Sequence, residues 1–266
     1  MHPFSTEPFA MKVLNTYNFI GFINYAVFVP VATIVVCYAI AVLTGHVPSW
    51  WLPMVSDCGV YFPEKWIFHI GLIVSSVLIH SASKVVRDFI TSNNPDSVSS
   101  KWENAAVFLN FIACGGLAGC ASVTVKEDNN IHGISAVIFF VFYIFYMWIV
   151  VLRVSQQLRQ RPGPSAYYAR NSLNYGAGQS LRYWIASVVT VDFIIFITFN
   201  VLKVQIDPYQ AIAEWIGIGG IILFNLTWKK DITQSGKCDI YTATLFEPQN
   251  QTYSGSRFYE EDRSLL

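Results

Sequence analysis

WWLPMVSDCGVYFPEKWIF, residues 50–68, is a compact polar block standing between two long apolar runs. Pro53, Gly59 and Pro63 set turns in it, and Ser56 and Asp57 offer side-chain caps to backbone amides. Pro63-Glu64 stands where a proline and an acid favour a helix start. Trp50, Trp51, Tyr61 and Trp66 are amphipathic rings of the kind that settle at a headgroup boundary. The block therefore reads as the mouth of a membrane protein.

Working outward, the flanking runs Ile23–Leu43 and Trp66–Val86 are each long enough to cross about 30 Å of hydrocarbon. Four more runs follow, at Asn104–Val123, Ile134–Leu152, Tyr183–Leu202 and Ala211–Trp228. A backbone in lipid must satisfy its own hydrogen bonds, so these are helices. The expected fold is all-α, a polytopic membrane protein with six transmembrane helices in one bundle. Composition agrees: 53% hydrophobic, 13% charged and a mean hydropathy of +0.42 in 266 residues. The formal net charge of zero gives no footprint for nucleic acid. The opening segment lacks a signal-peptide pattern, so the first span is read as its own insertion signal.

All Lys and Arg except Lys65, Lys126 and Lys203 fall on one side of the membrane under this topology. The positive-inside rule makes that side, with both termini, cytosolic, and turns residues 50–65 toward the lumen or outside. The expected organisation is a six-helix transmembrane domain over 1–232 and a cytosolic disordered tail over 233–266. The acid-free loop Arg153–Arg182 reads as a solvated connector, or as a segment resting on anionic headgroups.

Ionisable residues within spans are rare and usually face the bundle interior. Asp57, Glu64, His69, His132 and Glu214 fall near one membrane surface and form the candidate site, a lumenal polar cluster. One reading is contact with a lipid headgroup or glycan, or acid/base chemistry on an ester; the other is helix capping and interhelical pairing. Asp192, well inside the fifth span, resists explanation as a cap, and Asn110 is a guessed partner. Gly115 and Gly119 in the third span, and Ala213, Gly217 and Gly220 in the last, read as close-packing positions. Cys58 and Cys120 fall toward the same surface, where a disulfide is one option. Catalytic motifs, metal-ligand spacings and cofactor fingerprints are absent from the sequence, so the reading favours an accessory factor over a catalyst, with no cofactor and no metal.

The chain ends Glu260-Glu261-Asp262-Arg263-Ser264-Leu265-Leu266. Glu261 with Leu265 and Leu266 resembles the acidic dileucine signal that clathrin adaptors read. Leu52, Pro53, Ser56, Asp57, Gly59, Pro63, Glu64 and Phe68, with Trp215, Thr227 and Asp231, resemble the motif of a six-span superfamily. It includes the damage-regulated autophagy modulators (DRAM) and the post-GPI-attachment lipid-remodelling factors. The resemblance implies an endomembrane protein of Golgi or of lysosome and late endosome, with membrane lipids, including GPI glycolipid, as partners.

Two branches are implied. Ser56-Asp57-x-Gly59, Pro63-Glu64, Ala213-Glu214-Trp215 and the dileucine end resemble the DRAM branch, associated with lysosomes and autophagy. Glu127-Asp128 ahead of His132, and the short fifth connection, resemble the branch that remodels GPI-anchor lipid in the Golgi. The chain lacks that branch's Arg-His and Cys at the exit of the fifth span. GPI-anchor remodelling and transport of GPI-anchored proteins is ranked first, because it gives the acids and His132 a task. A lysosomal regulator of autophagy, and a plasma-membrane scaffold or channel modulator linked to phosphoinositide signalling, are the alternatives.

Overall fold

A computed structural model of the chain describes residues 9–47, 51–92, 100–160, 175–202 and 207–245. Its regular structure is helical throughout those residues. The helices are α1 (Phe9–Leu43), α2 (Glu64–Ser92), α3 (Ser100–Ser122), α4 (Asn129–Gln160), α5 (Tyr175–Val201) and α6 (Asp207–Leu245). A single 3-10 turn, Asp57–Gly59, interrupts the loop between α1 and α2. All six helices are long and apolar enough to span a membrane, over Ile20–Leu43, Glu64–Thr91, Lys101–Ser122, Asn129–Ser155, Gly178–Val201 and Tyr209–Ile232.

Each helix packs on its neighbour in sequence, and α6 returns to α1, so the bundle is a closed circuit. Short connections make consecutive helices antiparallel neighbours. In the third span the small-residue contact is shifted from the expected one. A Cβ on Gly116 would stand 2.6 Å from the Phe139 amide nitrogen, and one on Gly119 would stand 2.7 Å from Ser135 Oγ, while Gly115 faces open space. Gly116 and Gly119 are thus the residues that let α3 and α4 approach. In α6 the expectation holds, with Gly217 against Phe140 and Gly220 against Val189.

The loop end of the bundle is shaped by how α1 stops. Gly45 takes φ +71°, its amide reaches the Val42 carbonyl at 3.2 Å, and the His46 amide reaches Ala41 at 2.9 Å. That is a Schellman ending, which glycine's freedom at positive φ permits. It throws His46 back against the start of α2. At the far end α6 continues past Ile232, where the tail was expected to begin, and is helical to Leu245. The sequence there, DITQSGKCDIYTATL, has no proline to stop a helix already nucleated in the membrane. The sorting residues Glu261, Leu265 and Leu266 lie outside the described residues.

Candidate functional site

Two long-range hydrogen bonds hold the α1–α2 loop over the end of the bundle. The Trp215 indole Nε1 donates to the Pro53 carbonyl at 2.9 Å, and the Ser56 amide donates to Glu214 Oε2 at 3.3 Å. The Val55 amide and the Ser56 hydroxyl also face that carboxylate. Ser56 therefore does not cap the 3-10 turn with its side chain, as its position suggested; its amide is turned to Glu214 instead. Gly59 lies directly under Phe68, whose ring atoms would stand 2.4 Å from a Cβ there.

Beneath the loop a cleft of about 650 Å³, counted to its open mouth, runs into the bundle. Its polar end is formed by Ser56, His132 and Glu214, and its walls by residues such as Phe68, Leu72, Phe139, Ile218 and Ile221. Pro30 and Ile34 of α1 and Leu117 and Cys120 of α3 also line it, so α5 alone of the helices is missing from its walls. From Glu214 to Ile222 the lining follows α6 for about 12 Å at the helical rise.

The His132 ring Nδ1 lies 2.8 Å from the Val123 carbonyl, which can only accept, so this nitrogen carries the hydrogen. In the neutral ring Nε2 is then the acceptor. Asp57 sits within electrostatic reach of His132 and of Glu214. Burial raises the Asp57 pKa above the usual carboxylate value, and the nearby His132 opposes that rise. Cys58, buried in the same turn, is pushed up to about 12 by burial first and then by Asp57 and Glu214. It is an inert thiol.

The expected cluster separates into three groups. His132 and Glu214 line the cleft, and Asp57 stands near both in the loop, outside that lining. Glu64 is wholly buried, and its Oε1 pairs with His46 Nδ1. It braces α1 against α2 and presents nothing to the cleft. His69 lies under the charges of Lys65 and Glu127 instead. Those two form an ion pair, while Lys126 reaches the Tyr61 hydroxyl at 3.2 Å. The α3–α4 connection thus clips onto the loop from outside. Asp128 Oδ1 accepts from the Asn130 and Ile131 amides at 2.9 and 3.0 Å and caps α4.

Other expectations are corrected. Cys37, Cys58, Cys114 and Cys120 are all free and buried, and the Cys120 thiol faces the His132 carbonyl at 3.6 Å, so Cys58 and Cys120 form no disulfide. Asn110 meets the His80 ring at 3.3 Å, on another side of the bundle from Asp192. His46 was missed because a lone histidine after an apolar run carries no pattern.

Arg182, read only as a topology charge, is also more than that. It is fully buried, pairs with Asp231, donates to Thr227 Oγ1 at 2.9 Å, and stacks 3.7 Å over the Trp228 ring. This gives the motif residues Thr227 and Asp231 a task far from the cleft.

No curated protein and no solved structure matches the chain. The family model described as the Frag1/DRAM/Sfk1/Cwh43P N-terminal domain matches residues 18–235, which takes in all six spans, the loop and the buried arginine network. The chain belongs to the Frag1/DRAM/Sfk1 family of multi-pass membrane proteins.

Proposed function

We propose that the protein is an endomembrane lipid-binding member of the DRAM-like branch, working in lysosomal or late-endosomal membranes as a regulator of autophagy. The observation that carries this reading is the cleft, apolar along its length and closed at one end by Ser56, His132 and Glu214 under the motif loop. Its apolar walls and single polar end suit an acyl chain with a polar head. The Glu214 carboxyl, with Asp57 nearby in the loop, offers acceptors to a hydroxyl or amine donor and disfavours a phosphate. The occupant is therefore a single-chain lipid with a donor-bearing head, and the loop end faces the lumen.

Glu127 and Asp128, which favoured the GPI-remodelling branch, are occupied by the Lys65 pair and the α4 cap. Ser56, Gly59 and Trp215, which resemble the DRAM branch, build the lid, and Glu64 braces α1 against α2 beside it. GPI-anchor lipid remodelling remains the second reading, favoured by one observation. His132 is held by Val123 with its other nitrogen available beside Asp57, an arrangement suited to acid/base work.

The test uses the full chain in nanodiscs with a photoactivatable single-chain amine lipid, compared with a single-chain phosphate lipid. Labelling of cleft peptides by the amine lipid, reduced by Glu214→Gln and by Ile218→Trp, is the expected result. Equal labelling by both lipids, or labelling untouched by either substitution, overturns the lipid site. Deleting the gene separates the two cellular readings, since altered surface display of GPI-anchored proteins with normal lysosomal flux favours remodelling. Cysteine placed at exposed Trp51 should react with an impermeant reagent only from the lumenal side.

A further inference from the structure

Helix α5 differs from the other spans in two ways that together describe a partner. Only 11% of its span is buried inside the bundle, against 33 to 44% for the other five. Leu181, Trp184, Val188, Val191 and Ile195 recur alternately three and four residues apart, and all are exposed, from 38 to 68%. That is the spacing of a helix-packing seam with left-handed geometry. It points outward from the bundle.

Beside this seam stands Asp192, one turn on from Val188 and about 13 Å in from the Val201 end by helical rise. Its carboxylate has no partner among the described residues. The Tyr209 hydroxyl, the polar group closest to hand on α6, goes to the Asp192 backbone carbonyl at 3.5 Å. Carboxylates at such depth are costly and pair with a cation or a donor when one is within reach. Tyr209 is the α6 donor at Asp192, and among the described residues no cation pairs with the Asp192 side chain.

We infer that the outer face of α5 docks a transmembrane helix of another protein, one that carries a lysine or arginine at mid-depth opposite Asp192. Seam packing supplies the contact area, and the buried charge pair supplies selectivity, because a helix without the cation leaves the carboxylate unpaired. A second copy of this chain would bring another Asp192 to the same depth, and like charges disfavour that arrangement.

The experiment uses the full chain, fluorescently labelled, in vesicles with a labelled single-span leucine helix that carries one central lysine. Energy transfer to this helix should be at least about tenfold stronger in apparent affinity than to an all-leucine helix. Asp192→Leu should bring the two to the same level, and Asp192→Glu should keep the preference. Each variant is first shown to retain the wild-type melting profile, with Asp192→Asn replacing Asp192→Leu if the latter does not fold. Equal binding of the lysine and leucine helices to the native chain, or a preference that survives loss of the carboxylate, overturns the proposal. Self-association of the chain that depends on Asp192 also overturns it, by making the occupant a second copy.

Discussion

Gly59 and Phe68 show how two separated positions of the motif are one physical feature. The 3-10 turn passes so close to the α2 face that a methyl on Gly59 would meet the Phe68 ring at 2.4 and 2.5 Å and its Cβ at 2.9 Å. Gly59→Ala must displace either the ring or the turn, an overpacking cost of about 1–3 kcal/mol. Thermal unfolding in detergent should show a clearly lowered midpoint for Gly59→Ala. Gly115→Ala, with nothing within 4 Å of the new methyl, should leave the midpoint unchanged or raised. Arg182 makes a second residue-scale case. Removing it alone, as Arg182→Leu, leaves Asp231 charged and buried at 3% side-chain exposure, which costs about 3–5 kcal/mol. The double variant Arg182→Leu/Asp231→Leu removes both charges and should recover most of the loss of melting temperature; no recovery would mean that the Thr227 and Trp228 contacts dominate.

The α3–α4 connection gives the clearest pH dependence among the elements. Glu127 is held down to about 2 by the Lys65 ammonium and then by Thr124. Its folded value lies below the ordinary 4.5, so what it contributes to stability is fully present above 4.5 and is lost as pH falls toward about 2. Asp57 has the opposite sign. Its folded value is raised above 3.8 by burial, so its contribution to stability improves as pH falls through that raised value. Acid titration of the melting midpoint should therefore lose part of its slope between about pH 4.5 and 2 in Lys65→Met, with Asp57→Asn changing the profile at higher pH. A Lys65→Met profile identical to the native one would show that the clip does not tie the connection to the loop. The same element marks where sequence reading stopped. The six spans were legible because apolar length is a one-dimensional property. The partners of Glu127 were not, because an acid in a short loop looks the same whether it lines a site or pairs with Lys65. Arg182 was misread for the same reason: its charge is visible in the sequence, and its burial against α6 is not. Gly116 rather than Gly115 meets α4 because helix rotation, which spacing alone leaves open, decides which glycine faces the neighbour.

At the scale of the molecule the motif works as a latch. Ser56 and Pro53 on one side and Glu214 and Trp215 on the other are 158 and 162 residues apart in pairs, yet they close the loop over the cleft that the helices enclose. Access to the cleft from the loop end has to pass this closure, so the loop's opening equilibrium governs access from that end. Cys58 reports that equilibrium directly. While the loop is docked its thiol is buried and held at about 12, and in the open state it returns toward the ordinary 9.0 and becomes a nucleophile. Trp215→Phe keeps most of the ring's volume and deletes the donor to Pro53, a loss of about 0.5–1.5 kcal/mol, which raises the open population by up to about tenfold. Maleimide labelling of Cys58, followed by peptide mass spectrometry on the full chain, should accelerate by that factor in Trp215→Phe. Cys114, buried at the α2–α3 contact away from the loop, should stay as slow as in the native protein. If Cys58 labels no faster, the indole bond is not what holds the lid, and the Ser56–Glu214 contact carries the closure; if Cys114 accelerates together with Cys58, the substitution has loosened the bundle rather than opened the latch.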